Sequence, residues 1–206
     1  MTSAYAVLRA WDFKTKRYYY LGGMKHCLWT DGRINNGPGM FAFPGGHIER
    51  GENALIAAKR EFLEETGTSL DSMGAKYVRI FKVGNGVFVV FETTMNGALH
   101  VVQHHCEYGA ADPEFSSLAL VSGNELHRLV SFRPDVEKVV DVYLNKAKNR
   151  HHLHPWAYHI YLQDPVGIDG KRLREAIRAR VIKRSMNDWF MTACYRLTRL
   201  HRLNHL

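Results

Sequence analysis

Three glutamates crowd a short stretch of this sequence. Glu61, Glu64 and Glu65 lie within five residues, in the segment GGHIERGENALIAAKREFLEETG that runs from Gly45 to Gly67. On a helix that turns about 100° per residue, their side chains share one arc of about 100°. Like charges at this spacing destabilise an isolated helix, but converging carboxylates are the ligands that hard cations prefer. The spacing indicates either a divalent-metal site open to a polyphosphate or a solvated acidic surface.

The residues around the glutamates predict the helix that carries them, over residues 52–66. The apolar residues that recur at helical spacing are Leu55, Ala58 and Phe62. They form a side next to the acidic arc, so the helix is anchored while the acids face a cleft. Ala54 and Ala57 lie in the acidic arc and leave room above it. Gly67 is expected to end the helix.

The flanking segments predict strands. AYAVLRAW and RYYYLGG are rich in β-branched and aromatic residues and are joined by the turn DFKTK. GMFAFPGG is a short strand closed by Pro44 and two glycines. KYVRIFKV and GVFVVFETT form a hairpin across Gly84-Asn85-Gly86.

The chain after this hairpin is predicted as a polar loop, the strand FSSLALV, a short helix near GNELHRL and a helix from Pro134 to Lys148. This order predicts a mixed α/β domain over residues 1–148.

The remaining residues, 149–206, are predicted as a basic, helical C-terminal extension. Residues 1–145 carry 15 Lys/Arg and 16 Asp/Glu, whereas residues 146–206 carry 13 and 4. The predicted helices are KRLREAIRARVIKR and NDWFMTACYRLTRLHRL. The extension either packs on the body with solvated charges, clamps a polyanionic substrate, or binds RNA or an acidic protein. Its apolar stripe from Trp189 to Leu200 is either a homodimer surface or an internal contact.

The other titratable residues give weaker signals. His100, His104, His105 and Cys106 match no zinc spacing. The three cysteines are widely separated and indicate reduced thiols. No apolar run approaches the roughly 20 residues of a membrane helix, so a cytoplasmic protein without a membrane partner is expected.

The wider spacing of the acidic segment resembles the Nudix box, the signature of the Nudix hydrolase superfamily. Its eight fixed positions span 22 residues and are Gly46, Glu52, Arg60, Glu61, Phe62, Glu64, Glu65 and Gly67. Thr68 departs from the pattern, because the family usually has an aliphatic residue there. A looser downstream pattern places Glu114 and Glu125-Leu126 at matching positions.

The resemblance implies a Nudix-type α/β/α sandwich with a mixed sheet. It also implies a Mg²⁺- or Mn²⁺-dependent pyrophosphohydrolase that cleaves a nucleoside diphosphate linked to another group. Metal ions neutralise the diphosphate charge and acidify the attacking water. The expected partner is therefore a small nucleotide substrate.

Carried over position by position, the resemblance assigns roles to the box. The implied metal ligands are Glu61, Glu64, Glu65 and the Gly45 carbonyl. Arg60 and Glu52 are implied as partners that hold the box geometry, and Arg60 also steadies Glu64. Glu114 is implied as an extra metal ligand or base. Which glutamate is the general base stays open.

Three alternatives remain open at this stage. The first is an RNA-end processing enzyme that acts on a cap or triphosphate and holds the strand with its basic tail. The second is a non-catalytic nucleotide-binding module, which the intact acidic set disfavours. The third is an isoprenoid diphosphate isomerase, for which no cysteine is suitably placed.

Overall fold

A mixed seven-stranded sheet forms the centre of the protein, in a computed structural model that describes residues 2–26, 35, 39–112, 114–131, 175 and 189–203. The strands are β1 Ser3–Asp12, β2 Arg17–Lys25, β3 Phe41–Ala42, β4 Gly45–His47, β5 Lys76–Val83, β6 Gly86–Thr93 and β7 Phe115–Ser122. The described helices are α1 Ala54–Thr66, α2 Met95–Tyr108, α3 Gly123–Ser131 and α4 Trp189–Leu203.

The main path of the sheet has the order β3-β2-β1-β6-β5, while β4 pairs with β1 and β7 pairs with β2. β1 and β6 are parallel, whereas the other pairs are antiparallel. The predicted mixed sheet is therefore confirmed. The predicted hairpin is also confirmed, because Val83 pairs with Gly86 and Gly84 has a φ of 58°.

Two helix pairs flank the sheet. α1 packs on β1 and β4 and contacts α2, which packs on β7. α3 and α4 contact each other, with α3 on β2 and β7 and α4 on β5 and β6. The core between these layers contains large, fully buried side chains from several elements. They include Leu8, Tyr20, Phe41, Phe62, Phe88 and Phe91.

The prediction of a polar loop after β6 is wrong in part, because most of that segment forms α2. Thr94 caps the helix by accepting a hydrogen bond from the Gly97 N–H at 3.1 Å, and Gly109 ends it. Ala98, Val101 and His105 are its buried residues. Histidines among the apolar residues hide this periodicity in the sequence.

The strand predicted in GMFAFPGG ends before Pro44, but the two glycines predicted to close it begin a second strand, β4. β3 pairs with β2 and β4 pairs with β1, and Pro44 lies between them. The Pro44 carbonyl accepts a hydrogen bond from the Ala6 N–H at 2.8 Å. The chain therefore crosses from one strand partner to another at this proline, which places β4 beside the start of β1.

The last predicted helix is confirmed as α4. Its apolar stripe is an internal contact, since Phe190, Ala193, Cys194 and Leu197 are buried in the core. Among the described residues, no helix is both long and apolar enough to cross a membrane. The predicted helix over residues 134–148 lies outside the described residues, as do Cys27 and Trp29. Of the predicted helix over residues 171–184, only residue 175 is described, and it is helical.

Candidate active site

The acidic helix α1 has clear ends and a well-anchored apolar side. The Asn53 side chain caps it by accepting a hydrogen bond from the Ile56 N–H at 3.0 Å. Gly67 ends it in the left-handed conformation, with a φ of 75°. Ala58 and Phe62 are fully buried. This anchoring holds the acidic arc of the helix in a fixed orientation toward β4.

Arg60 is the centre of the charge network. Its guanidinium donates two hydrogen bonds to Glu52, of 2.9 and 3.1 Å, in a bidentate arrangement. Its Nη1 donates to Glu61 at 2.9 Å and to Glu64 at 3.0 Å, and its Nη2 donates to the His47 carbonyl at 3.0 Å. One cation therefore joins three carboxylates and the end of β4.

Glu65 is buried to a degree that is unusual for a glutamate, with 1% of its surface exposed. Its Oε2 accepts a hydrogen bond from the Gly45 N–H at 2.9 Å. Burial raises the pKa of Glu65 to about 8, and the nearby Lys25 charge opposes this rise. The sequence implied the Gly45 carbonyl as a site group, whereas the contact that the structure shows uses the Gly45 N–H.

The Glu61 carboxylate lies against the backbone of Gly46. A Cβ atom at Gly46 would come within 2.4 Å of the Glu61 Oε1, so only glycine leaves room for the carboxylate. Burial raises the pKa of Glu61, although its hydrogen bond from Arg60 lowers it. Glu64 is the most accessible of the three glutamates, with 43% of its side chain exposed.

Two charged residues that sequence reasoning missed lie close to the glutamates. The Asp112 N–H donates to the Glu64 carbonyl at 2.8 Å, which ties the loop before β7 to α1. Burial, followed by the charge of Glu64, raises the pKa of Asp112, and Lys25 lowers it. The charge of Lys25 therefore lowers the pKa of both Glu65 and Asp112.

Glu114 forms an ion pair with Lys25, and both side chains are largely buried, at 10% and 13% exposed. The sequence-implied residue Glu114 is thus connected to the glutamates of α1 through Lys25. No local spacing signals this pair, because the antiparallel pairing of β2 with β7 brings the two residues together.

The residues at the site fit a divalent cation by their chemistry. Carboxylates and backbone carbonyls are hard oxygen ligands. A bound cation would also offset the cost of burying negative charge on the acidic groups whose pKa values are raised. In the described part of the chain, no three His, Cys, Asp or Glu side chains are gathered in metal-binding geometry. The Arg60 guanidinium bridges Glu61 and Glu64 instead.

A groove of about 830 Å³ lies at the other end of β1. Its lining includes Arg9, Trp11, Tyr77 and Glu92. Arg9 is four residues along β1 from Tyr5, the partner of Gly45, which corresponds to roughly 13 Å of strand. The groove is therefore separated from the acidic residues along the sheet.

The family of the chain follows from a match to a known sequence model. The model of the NUDIX domain matches residues 19–143, which is more than half of the chain. The chain belongs to the Nudix family. As a Nudix hydrolase it acts on phosphoanhydride bonds. Members of the family act on nucleoside diphosphate derivatives and generally use divalent metals such as Mg²⁺.

Solved Nudix structures resemble the chain at low sequence identity. A mutT/nudix family protein from Listeria innocua is 21% identical, with a TM-score of 0.43, and the match covers 62% of this chain and 82% of that one. The Nudix hydrolase RenU from M. smegmatis is 14% identical, with a TM-score of 0.46 and 86% coverage of both chains. A C. elegans Ap4A hydrolase is 11% identical, with a TM-score of 0.42 and coverage of 64% and 86%.

Proposed function

We propose that this Nudix hydrolase is a metal-dependent pyrophosphohydrolase that cleaves the diphosphate bond of a nucleoside diphosphate linked to another group. The observation that carries the proposal is the arrangement of Glu61, Glu64 and Glu65 on one arc of α1. Arg60 fixes two of them, and the Gly45 N–H fixes the third. On a solvated acidic surface, Glu65 would not be buried and would not accept a hydrogen bond from the strand β4.

Glu61, Glu64 and Glu65, with the Gly45 carbonyl, would hold Mg²⁺ or Mn²⁺. When bound, the cation neutralises charge on the diphosphate and acidifies the attacking water. Burial of Glu61 and Glu65 excludes water from one side of the site.

The exposed Glu64 faces the solvent side, where a substrate can approach. We assign it as the carboxylate that accepts the proton of the attacking water, because a base must be within reach of that water. Arg60 holds the Glu64 oxygen in place. Glu114 is a second candidate for this role, but its side chain is only 10% exposed, against 43% for Glu64.

The test is a substrate panel measured with Mg²⁺, with Mn²⁺ and with a chelator. The panel contains nucleoside triphosphates, ADP-ribose, NADH, dinucleoside polyphosphates, inositol pyrophosphates and capped RNA. We expect metal-dependent release of two phosphate-bearing products from at least one small nucleotide. A Glu64→Gln/Glu65→Gln double variant, purified in parallel, is the control for contaminating hydrolases.

Three outcomes of the panel would contradict the proposal. Activity that persists in the chelator would remove the role of the cation. Cleavage of capped RNA alone, with a steep salt dependence, would favour the RNA-end processing alternative. Binding of a nucleotide without turnover would favour the non-catalytic alternative.

A further inference from the structure

The C-terminal helix α4 makes aromatic contacts close to β4, the strand against which the acidic residues of α1 lie. The Trp189 ring lies 5.5 Å from the Tyr5 ring, and the Phe190 ring lies 6.0 Å from it in an edge-on arrangement. Phe190 also lies 5.4 Å from the ring of Phe43. Two consecutive residues of α4 therefore contact β1 and the segment that leads into β4.

Tyr5 and Phe43 both lie next to Gly45, the first across the sheet and the second along the chain. Tyr5 pairs with Gly45 between β1 and β4. The packing is so close that a Cβ atom at Gly45 would lie 2.7 Å from the Tyr5 Cα and 2.3 Å from the Ala4 carbonyl oxygen. Phe43 lies two residues before Gly45 and is itself buried. A shift of the Tyr5 or Phe43 side chain would therefore be transmitted to the Gly45 backbone.

The Gly45 N–H is the group that holds the buried Glu65 carboxylate. The contacts thus run without a break from Trp189 and Phe190, through Tyr5 and Phe43, to Gly45 and Glu65. Interiors are packed densely enough to transmit such small displacements. Mutation of a group that orients a metal ligand from outside the metal site typically costs about 10- to 100-fold in metal affinity or activity.

We propose that Trp189 and Phe190 are positioning residues for the acidic site, so that the C-terminal segment is a working part of the hydrolase. The proposal rests on the proposed function for its effect on catalysis. Its structural claim, that α4 sets the position of the Gly45 N–H, stands independently of any substrate.

The first test uses Trp189→Ala and Phe190→Ala, with Leu197→Ala as the matched control. Leu197 is buried on the same helix, and the hydrogen bond that its carbonyl accepts from the Tyr20 hydroxyl at 3.3 Å does not need its side chain. In metal-free protein, we expect faster hydrogen exchange at the Gly45 amide in Phe190→Ala and Trp189→Ala. Leu197→Ala lowers the melting temperature but leaves that amide protected.

The second test measures Mn²⁺ binding by calorimetry and then kcat and KM with the best substrate of the panel. We expect Phe190→Ala to weaken Mn²⁺ binding and to lower kcat by about 10-fold, at a temperature where all variants are folded. KM should change little, because the substitution acts on the metal ligands through the packing beside Gly45. Trp189→Ala should lower the Mn²⁺ affinity and kcat in the same direction, whereas Trp189→Phe, which keeps a ring beside Tyr5, should leave both close to those of the wild type.

The outcomes separate this inference from the proposed function. If Phe190→Ala and Leu197→Ala affect the Gly45 amide and Mn²⁺ binding equally, the positioning role is refuted. If the wild type binds no Mn²⁺, the proposed function fails, while the exchange experiment still decides whether α4 positions Gly45. Should Phe190→Ala not fold, Phe190→Leu and Trp189→Ala provide the same comparison with smaller losses.

Discussion

α1 carries a group of three glutamates and α2 a group of three histidines, yet the surroundings of the two groups differ. On α1, the partners of Glu61, Glu64 and Glu65 include Arg60 and the Gly45 N–H. On α2, the rings of His100 and His104 lie 6.1 Å apart, so the neighbours of the histidines include other histidines.

The charges around the two groups also differ in sign. The cation Lys25 lowers the pKa of the buried Glu65, against the effect of burial. His105 has a pKa that burial lowers, and the charges of His26 and His104 lower it further. The acids thus have the opposite charges of Lys25 and Arg60 beside them as well as each other, whereas the charges that act on His105 are like charges. Clustered spacing alone does not identify a site, whereas partners from other elements do.

The largest expected effect separates the two helices directly. Glu64→Gln removes the proposed proton acceptor and is expected to lower kcat by at least about 100-fold. Glu65→Gln should have a comparable effect, because it removes the charge of a proposed metal ligand that is buried. His100→Asn on the exposed side of α2 should leave kcat within about twofold of the wild type. Steady-state kinetics with saturating Mn²⁺ measures all three, and equal losses on both helices would contradict the contrast.

Arg60 provides the second test, because its cation is what distinguishes α1. Arg60→Ala leaves the Glu52, Glu61 and Glu64 carboxylates without their shared donor. We expect it to lower the free energy of unfolding by about 2 kcal/mol. Lys59→Ala is the matched control, since the exposed Lys59–Asp71 ion pair should contribute less than about 1 kcal/mol. Urea unfolding gives both values. Equal losses would show that the network around Arg60 contributes no more to stability than an exposed ion pair does.

The third test uses the pKa of Glu65, which burial raises to about 8. A glutamate in the unfolded chain has a pKa of about 4.3. Between this pH and about pH 8, the folded state therefore retains a proton that the unfolded chain has released. The free energy of unfolding therefore falls as pH rises through this window. Without metal, the wild type should lose up to about 1.4 kcal/mol per pH unit relative to Glu65→Gln. Parallel stability curves from about pH 5 to pH 8 would show that Glu65 does not titrate in this way.

The smallest expected effect concerns Lys25, which sequence reasoning missed. Its ammonium acts on Glu65 and Asp112 and so repels a cation bound near them. Lys25→Gln should therefore tighten Mn²⁺ binding by about threefold, whereas structural damage alone would weaken it. Calorimetry of folded protein measures the change, with Lys59→Gln as the control. Weaker binding in Lys25→Gln would assign Lys25 a structural role instead.

The local parts of this molecule were predictable from the sequence. The α1 periodicity, its end at Gly67 and the hairpin at Gly84-Asn85-Gly86 depend on residues close in the chain, and all three are confirmed. The spacing of the box also identified the family, because all its positions lie within one short segment of the chain. Local chemistry determines helix caps and tight turns, so short segments contain the needed information.

The non-local parts were not predictable. The Lys25–Glu114 pair depends on the register of β2 against β7, and the hydrogen bond from Asp112 to Glu64 depends on how a loop meets α1. The division at Pro44 depends on which strand each half pairs with. The helix α2 was missed because histidines interrupt its apolar periodicity. The site roles of Glu61, Glu64, Glu65 and Glu114 stay predictions.

The hydrogen bond from the Tyr20 hydroxyl to the Leu197 carbonyl joins residues 177 positions apart. A ribosome synthesising this protein releases β1 and α1 long before α4 exists. Contacts of such sequence separation form late and slow the folding of a domain. A nascent chain thus already contains every acidic residue of the box, but it gains the aromatic support beneath Gly45 only after residue 190 has emerged. Catalytic competence should therefore appear only after the residues of α4 have left the ribosome.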